Sequence, residues 1–351
     1  EEFDYDGQKL IYPDIKLIYW AGGNPFHHHQ DLNRLVKAWQ KPNTIIVNEI
    51  WWNAQARHAD IVFPANTALE RNDLMLNPRD PTIVANKCAM QSFKDSKTDY
   101  EIFSGLAEKL GFLESFTDNK SEMDWIKYIW NKSSEAVKEK NLSLPSFEDF
   151  WKKGYFELPA PKVENIMLSD FRKDPNKSPL KTPSGKIEIS SNTIANFQLK
   201  DCFSHPYWFE PYEWLGNIKN HPLHLISNQP KHRLHSQLDN GPYSQKSKVN
   251  GKEPVMINPK DALNRDINNG DIVLLYNARG KALAGAIISD NVMPGVVVLS
   301  TGAWFDPDYD LNIERHGNPN VLTKDVGTSS LGQGPTCHTT LVELKKANKD
   351  E

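Results

Sequence analysis

A glycine pair followed by an asparagine could bring backbone N–H groups against a bound anion. Gly22 and Gly23 lack a Cβ atom, so they permit a turn with positive φ and a close approach of the backbone to a ligand. A helical pattern begins after Asn24 and Pro25, and the helix dipole would favour a phosphate or another anion at that end. An ordinary strand-to-helix turn would need the same residues. The motif therefore predicts anion binding only in combination with a second contact.

Glu49, at the end of the next predicted strand, could supply that contact. It follows the apolar run Ile45–Val47 and Asn48, and open α/β sheets hold their ligands beyond the carboxyl ends of such strands. In dinucleotide-binding folds an acidic residue about 20 positions after the glycines binds a ribose hydroxyl, although Glu49 lies somewhat farther along the chain. The glycine turn and Glu49 together predict half of a nucleotide-binding unit.

A second group of hydrogen-bonding side chains lies far along the chain, in the segment NQPKHRLHSQL at 228–238. It combines two cationic side chains and two imidazoles with the neutral groups of Ser236 and Gln237. A basic loop at a protein surface is usually solvated. The density of donors here favours a binding loop instead.

Three charged residues of the first half could serve either the structure or a ligand. Arg57 stands beside carboxylates, which favours a structural ion pair and a phosphate clamp equally. Arg71, in a predicted loop over Ala65–Asp73, is interpreted as a diphosphate contact. Asp99 precedes a helix that begins near Tyr100, where an N-cap role by itself would explain it.

A metal site built from the histidines or cysteines is disfavoured, and so is hydrolase chemistry. The three histidines at 27–29 point about 100° apart if they lie on a helix, so they cannot all reach one ion. The cysteines Cys88, Cys202 and Cys337 lie far apart and form no CxxC pair, which argues against a zinc site or an iron–sulfur cluster. No GxSxG sequence, the signature of a nucleophile elbow, occurs.

The composition narrows the class of protein. The 351 residues predict two domains, at about 100–200 residues each. The formal net charge is −4 and the pI about 6.3, with 41 basic residues interspersed among 45 acidic ones, which argues against nucleic acid or a membrane surface as a partner. No apolar run approaches the ~18 residues of a membrane span, and the start EEFDYDGQK has no signal-peptide pattern.

Short apolar strands alternate with helical segments as far as Gly111, which predicts an open α/β sheet. Gly111 is expected to end the last helix of this part as a C-cap. Residues 112–180 are more polar and look like a connecting layer. The predicted elements are strands over Ile15–Trp20 and Ile45–Val47, and helices over Phe26–Trp39, Tyr100–Leu110, Asp124–Trp130 and Phe147–Lys153.

Beyond Pro183 the pattern changes to short β runs separated by turn residues, which predicts a β-barrel. We therefore expect a Rossmann-like α/β domain with a helical connecting region over residues 1–180 and a barrel domain over residues 181–351. The predicted strands of the second domain are Lys186–Ile189, Leu223–Ile226, Val255–Ile257, Asp271–Tyr276, Ala282–Ile288 and Gly295–Leu299.

Several of these segments together resemble the C-terminal part of the dimethyl sulfoxide reductase family of molybdopterin oxidoreductases, most nearly its trimethylamine N-oxide and biotin sulfoxide reductases. The resemblance covers nearly the whole chain. It implies a double-psi β-barrel as the second domain and bis(molybdopterin guanine dinucleotide) with molybdenum as the cofactor. The segments are residues 19–49, ARHADIVFP (56–64), LERND (69–73), TPSGKIEI (182–189), NQPKHRLHSQL (228–238) and NVLTKDVGTSSLGQG (320–334).

The motifs and the resemblance together imply a set of cofactor-binding residues. Gln229 departs from the histidine of the dimethyl sulfoxide reductases, and His338 replaces a glutamine of some relatives. The implied residues are Gly22, Gly23, Asn24, His28, Asn48, Glu49, Arg71, Asp99, Gln229, His235, Ser236, Asn320 and His338.

The resemblance places Asp99 against the edge of the guanine base. A carboxylate can accept from both N1–H and the 2-amino group of guanine, and each such bond contributes on the order of 1.5–3 kcal/mol. Adenine has no matching pair of donors. We expect Glu49 and Asp99 to face one cleft between sheet and barrel, with the loop of His235 close to the turn at Gly23.

The activity implied is the two-electron reduction of an S-oxide or N-oxide in anaerobic respiration. The resemblance implies a periplasmic enzyme, with the cytoplasm as the alternative, and a c-type cytochrome as a candidate electron donor. The metal-ligating serine and the catalytic aromatic residues of the family belong to an N-terminal half. No catalytic residue and no metal ligand is therefore predicted here, and the isolated chain is expected to need that missing half as a partner and to be inactive alone.

Two alternatives stay open. The chain could be a non-enzymatic pterin- or nucleotide-binding module or an inactive fragment, since such a protein needs only the phosphate cradle and the guanine contacts. It could also be a formate- or nitrate-type molybdopterin enzyme, although NPFHHHQDLNR and HRLHSQL favour the oxide reductases. The sequence leaves open which oxide is reduced.

Overall fold

The fold is described from a computed structural model. It covers residues 2–5, 8–139, 141–159, 166–336 and 338–348. Cys337, one of the cysteines considered above, lies outside the described residues. The chain begins with an antiparallel hairpin of β1 (Glu2–Tyr5) and β2 (Gln8–Ile11), which the sequence did not predict.

Three parallel strands form the sheet of the first half, in agreement with the predicted open α/β sheet. β3 (Leu17–Ala21) pairs with β4 (Thr44–Glu49), and β4 pairs with β5 (Ile61–Pro64). Asn48 lies opposite Ala21, and Glu49 lies opposite Pro64. The carboxyl ends of the strands therefore meet at one edge of the sheet.

Two short helices connect β3 to β4, in place of the single helix predicted over Phe26–Trp39. α1 (Pro25–His28) is capped by Asn24, whose side chain accepts a backbone N–H of the first turn. α2 (Leu32–Trp39) starts afresh at Asp31, a left-handed residue with φ 46° whose side chain also caps its helix. The apolar spacing is compatible with one helix or with two. Because Asn24 and Asp31 each cap a separate helix start, the segment forms two helices.

Short helices and a long one cover the sheet and lead to the barrel. The predicted helix at Phe147–Lys153 has the bounds expected, whereas the one predicted at Asp124–Trp130 is longer. The helices are α3 (Ala54–Arg57), α4 (Asp99–Leu110), α5 (Leu113–Thr117), α6 (Glu122–Lys138), α7 (Phe147–Lys153), α8 (Ser169–Lys173) and α9 (Asn192–Phe197).

A small antiparallel sheet, missed by the sequence analysis, packs against the connecting layer of residues 112–180 and takes one strand from it. It consists of β6 (Asp73–Asn77), β7 (Asp80–Asn86) and β8 (Tyr155–Glu157). It packs with α6 and α7 around a separate buried cluster, in which the rings of Trp130 and Phe150 stack 3.7 Å apart. The layer therefore has a core of its own.

Six strands of the second half close into a barrel, as predicted. Their order is β10–β13–β9–β16–β11–β12, and β12 pairs back with β10. Two of the six pairs, β10 with β12 and β13 with β9, are parallel, and the other four are antiparallel. The elements of this half are β9 (Leu223–Ile226), α10 (Pro242–Gln245), β10 (Pro254–Ile257), α11 (Pro259–Leu263), β11 (Ile272–Tyr276), β12 (Lys281–Ile288), β13 (Val296–Leu299), β14 (Pro307–Asp308), β15 (Ile313–Glu314) and β16 (Leu341–Lys346).

One predicted barrel strand is wrong. The segment Lys186–Ile189 is not a strand, and its Ile187 and Ile189 side chains are 67% and 79% exposed. β16 takes the sixth place and buries Val342 and Leu344 in the barrel. Apolar alternation was present in both segments, so only the contacts available to each could decide which one joins the sheet.

A single buried cluster joins the α/β sheet and the barrel. Phe26 and Val36 of the first half belong to the same cluster as Leu225 and Val255 of the barrel. The division into residues 1–180 and 181–351 therefore stays a prediction. None of the helices in the described ranges is long and apolar enough to cross a membrane.

Candidate functional site

A cleft of about 620 Å³ lies where the carboxyl edge of the parallel sheet meets the barrel. The turn at Gly23 and the loop bearing His235 both line it, as expected. Its lining residues are Gly23, Asn24, His27, His28, Glu49, Ile50, Trp51, Asn53, His235, Ser236, Gln237, Leu238, Thr301, Gly302 and Trp304.

The glycine turn has the backbone conformation that the sequence predicts. Gly22 and Gly23 have φ values of 97° and 79°, and both are exposed. Buried Gln55 supports the turn: with its amide oriented to satisfy both atoms, it donates to the Gly23 carbonyl over 2.8 Å. The helix that follows, α1, is only one turn long, so its dipole contributes less to anion binding than the predicted 14-residue helix would have.

Glu49 turns its carboxylate back onto its own chain. Oε1 accepts the backbone N–H groups of Ile50 and Trp51, at 2.9 and 3.3 Å. Across the described part of the chain, no hydrogen bond is made by Oε2. One oxygen thus fixes the side chain, and the other can serve a ligand in the cleft.

Burial lowers the pKa of two imidazoles at the cleft, His27 and His28. His27 is only 7% exposed and stacks on Trp304, and burial lowers its pKa to about 4 against the opposing pull of Asp239. Desolvation, with the imidazoles of His29 and His235, also lowers the pKa of His28. A neutral imidazole can both donate and accept a hydrogen bond but carries no charge. It therefore suits the polar groups of a pterin or a nucleotide better than it suits a ligand that is held by charge alone.

His235 is held in a left-handed conformation, with φ 51°. Gln229 Nε2 lies 3.0 Å from its Nδ1, and with the amide as donor the imidazole proton lies on Nε2. Arg233 Nε donates to the His235 carbonyl over 3.1 Å. Gln229, predicted as a direct contact, therefore reaches the cleft through His235 and does not line it.

Four buried charges anchor this loop. Arg233, Asp239, Lys248 and Glu253 have side chains only 1–2% exposed. Arg233 contacts Asp239 at 3.4 Å and Glu253 at 3.1 Å, while Lys248 contacts Asp239 at 2.7 Å and also pairs with Glu253. Two cations and two anions are thus mutually compensated inside the barrel rim.

Asp239 extends this cluster to the far wall of the cleft. Burial raises its pKa, but the hydrogen bond from His316 and the charges of Lys248 and Arg233 outweigh burial and lower the pKa overall. Its Oδ2 accepts the backbone N–H of Trp304 over 3.0 Å. The buried charges therefore fix both the His235 loop and the ring that stacks on His27.

A second cavity, of about 510 Å³, holds the other two charged candidates, Arg71 and Asp99. Arg71 makes a long contact, 3.3 Å, with Asp73. The cavity has aromatic and aliphatic walls. Its lining residues are Arg71, Asn72, Asp73, Thr98, Asp99, Tyr100, Phe116, Glu122, Trp125, Ile126 and Ile129.

Asp99 is not the cap of its helix, so the structural explanation offered for it is wrong. Thr98 caps α4, with its side chain accepting from Glu101 N. Asp99 Oδ1 accepts instead from Asn48 Nδ2 at 2.8 Å. In the described ranges Oδ2 has no hydrogen-bond partner, which leaves an acceptor for a ligand in the second cavity.

Glu49 and Asp99 do not share one cleft, contrary to expectation. Glu49 lines the first cavity and Asp99 the second. Successive residues of a strand point to opposite faces, so Glu49 faces one cavity while its neighbour Asn48 faces Asp99. The sequence placed both acids at the correct edge but could not separate the two faces.

Three other candidates lie outside both cavities. Arg57 pairs with Asp306 at 3.0 Å, which favours a structural ion pair over a phosphate clamp for this residue. Asn320 is only 4% exposed, and its side chain accepts from Thr323. His338 is exposed, and its backbone contacts the imidazole of His224.

Several lining residues were missed by the sequence analysis, chiefly His27 and the segment Thr301–Trp304. The signal that could have found the segment is its position directly after an apolar barrel strand, β13. Trp304 donates its indole N–H to the carbonyl of Ser236 over 2.8 Å, so it also supports a predicted residue.

Two family models match the chain. The Molybdopterin oxidoreductase model matches residues 5–109, and the Molydopterin dinucleotide binding domain model matches residues 223–341. The two matched segments contain all the residues that line the first cavity, and Arg71 and Asp99 of the second.

Characterised relatives align with nearly the whole chain. It is 46% identical to a biotin sulfoxide reductase of Cereibacter sphaeroides, 45% identical to a dimethyl sulfoxide/trimethylamine N-oxide reductase of the same organism, and 43% identical to a trimethylamine-N-oxide reductase of Haemophilus influenzae. These alignments cover 98–99% of the chain but only 43–46% of each relative. The chain thus spans less than half the length of these relatives.

A solved structure confirms the fold. The acetylene hydratase of Pelobacter acetylenicus superposes with a TM-score of 0.71 over 95% of this chain and 44% of its own, at 16% sequence identity. At that identity the similarity concerns the architecture alone, an open α/β sheet joined to a barrel.

Proposed function

The chain belongs to the molybdopterin oxidoreductase family, and from this premise we propose that it forms the dinucleotide-binding part of an S-oxide or N-oxide reductase. The names of its relatives, at 43–46% identity, support this substrate class. The observation that carries the proposal is the pair of cavities at the carboxyl edge of the sheet, one with the glycine turn and several imidazoles, the other with an available carboxylate.

The cofactor of the family is a molybdopterin guanine dinucleotide with molybdenum, which supplies the electron-transfer chemistry when it is bound. The second cavity fits the guanine end of such a group. Asp99 Oδ2 is available as an acceptor, and guanine offers N1–H and an amino group to a carboxylate. Tyr100, Phe116 and Trp125 give the cavity aromatic walls on which a base can stack.

The first cavity fits phosphate and pterin groups. The positive-φ glycines present backbone N–H groups at an open surface, since no atom lies within 4 Å of a Cβ built on Gly22. His28, His235 and Ser236 add hydrogen-bonding side chains. We assign these residues to binding and orienting the cofactor, with Glu49 as the candidate ribose acceptor and Arg71 as the candidate diphosphate contact. Asn320 and His338 stay predicted contacts.

A nucleotide-binding measurement tests the proposal. In calorimetry with GMP and AMP as probes, the wild-type chain should prefer GMP, and Asp99→Asn should bind GMP about 10-fold more weakly or worse, because one charge-assisted acceptor is lost. AMP binding should not change. The exposed Asp290 provides the control, since Asp290→Asn should behave like the wild type. Equal GMP affinity of Asp99→Asn and the wild type would contradict the assignment.

We further propose that oxide reduction needs more protein than this chain supplies, because the relatives that carry the named activity are more than twice as long. The same wild-type preparation, incubated with reduced viologen and trimethylamine N-oxide or dimethyl sulfoxide, should oxidise no viologen above the protein-free rate. Steady turnover would refute this part of the proposal.

A further inference from the structure

A chain of two hydrogen bonds ends on the candidate guanine acceptor. Tyr19 Oη donates to Asn48 Oδ1 over 2.9 Å, and Asn48 Nδ2 donates to Asp99 Oδ1 over 2.8 Å. Asn48 is only 7% exposed, although the sequence analysis took it as a direct cofactor contact. Its amide oxygen and one of its N–H groups are both engaged within the protein.

The sheet brings these three residues together. Tyr19 on β3 pairs in register with Ile46 on β4, so Asn48, two residues farther on, lies on the same face of the neighbouring strand. α4 crosses this face, and the ring of Phe103 lies 5.2 Å from the Tyr19 ring. Phe103 and Asp99 stand four residues apart on α4, hence on one side of the helix.

The packing of the Tyr19 ring is independent of its hydroxyl group. Phe63 and Phe103 hold the ring from two sides, at 6.4 and 5.2 Å between centroids. Burial, followed by the charge of Asp99, raises the pKa of Tyr19, so the hydroxyl stays protonated and acts as a donor. A Tyr19→Phe substitution would therefore remove the hydrogen bond and keep the packing.

The hydroxyl group fixes which way the Asn48 amide points. With Oδ1 satisfied by Tyr19, the amide N–H group is directed at Asp99, and that donor holds Oδ1 of the carboxylate. Without the hydroxyl group, Asn48 Oδ1 would be buried and unsatisfied, which favours rotation of the amide away from this arrangement. Asp99 would then lose the partner that sets the direction of its free oxygen.

We propose that Tyr19 and Asn48 are positioning residues that orient Asp99 as an acceptor and so set the preference for guanine over adenine. The inference rests on the proposed function, because it assumes that a guanine base enters the Asp99 cavity. It reassigns Asn48 from a ligand contact to a support for one. Adenine is disfavoured because its N1 is an acceptor and cannot donate to a fixed carboxylate.

Binding of GMP and AMP to single and double variants tests the proposal. Tyr19→Phe should weaken GMP binding about 5-fold and leave AMP unchanged, on the scale of one lost neutral hydrogen bond. Asn48→Leu, which breaks the same chain at its middle, should have at least as large an effect. Because both act through Asp99, the double variant should bind GMP no more weakly than Asn48→Leu alone. Tyr212→Phe, at an exposed tyrosine of the other half, is the matched control.

The outcomes separate this inference from the proposed function. If Asp99→Asn loses the preference for GMP but Tyr19→Phe and Asn48→Leu keep it, the positioning role is overturned and the guanine site stands. If the wild type shows no preference for GMP over AMP, both fail. Equal weakening of GMP and AMP in Tyr19→Phe, or additive effects in the double variant, would likewise overturn the positioning role.

Discussion

At the scale of single residues, burial decides the chemistry of the first cavity. His27 stacks on Trp304, and its folded pKa is about 4 in place of the usual 6.5. A neutral ring cannot attract a phosphate by charge, so under the proposed function the backbone N–H groups near Gly23 would supply the anion contacts. The cavity is therefore built for hydrogen bonds and stacking.

This shifted pKa predicts a pH dependence of stability. Between pH 6.5 and about 4, His27 is protonated in the unfolded chain but not in the native protein. The free energy of unfolding therefore falls as the pH falls through this window. The full contribution is about 3 kcal/mol, present above pH 6.5 and lost below about pH 4.

Urea unfolding of His27→Gln between pH 4 and 7 measures this contribution. The variant should show a shallower loss of stability on acidification than the wild type. His205→Gln, at an exposed histidine, serves as the control and should keep the wild-type slope. Parallel curves for His27→Gln and the wild type would show that His27 titrates normally in the native state.

At the scale of elements, the site depends on a close approach between two loops. The turn after β13 brings Gly302, with φ 89°, against the loop of His235, and a Cβ built on Gly302 would lie 2.1 Å from the His235 carbonyl oxygen. No side chain fits there without moving the loop. This contact sets the width of the first cavity on its barrel side.

Two alanine substitutions separate the steric cost of adding a Cβ atom from the cost of holding a non-glycine residue in a left-handed backbone conformation. Gly270 has nearly the same backbone, with φ 90°, but nothing lies within 4 Å of its Cβ position. Gly270→Ala should cost about 1–2 kcal/mol from the left-handed backbone alone. Gly302→Ala should cost a further 1–3 kcal/mol or so from the clash with His235. If chemical unfolding shows the same loss of stability for Gly270→Ala and Gly302→Ala, the His235 loop moves aside at no energetic cost.

The barrel strands show how much secondary structure the apolar periodicity of the sequence can predict. Apolar spacing predicted β9 with its bounds and β11, β12 and β13 nearly so, because each is a short buried run between turn residues. The same criterion selected Lys186–Ile189, which is exposed, and missed β16. Spacing shows that a segment can form a strand, whereas a free partner edge decides whether it does.

At the scale of the whole molecule, a shared core and the ion pair of Arg57 with Asp306 hold the sheet and the barrel in one arrangement. The rings of Phe26 and Phe305 stack 5.9 Å apart across the junction, and Arg57 pairs with Asp306 beside them. The cluster of Arg233, Asp239 and their partners then fixes the barrel loop that completes the first cavity. The cavity walls come from both halves, so its shape depends on this junction.

Breaking the buried charge cluster should cost far more than breaking a surface pair. Arg233→Met leaves two buried carboxylates with one cation, and we expect a loss of about 3–5 kcal/mol. Arg34 pairs with Asp325 at 2.6 Å, but its side chain is 66% exposed, so Arg34→Met should cost about 0–1 kcal/mol. Chemical unfolding at two salt concentrations measures both. Losses of equal size would contradict a structural role for the cluster.

The sequence by itself determined the fold class, the family and which residues reach the carboxyl edge of the sheet. The fold class and the candidate residues follow from local patterns: the turn at Gly22 and Gly23, the strand that ends at Glu49 and the polar loop around His235. The family follows from the resemblance of several segments to a known family. Only the tertiary structure decided that Glu49 and Asp99 face different cavities, that Asn48 bridges Tyr19 to Asp99, and that His27 is neutral. Each of these depends on burial and on contacts between residues far apart in the chain, which spacing along the sequence does not encode.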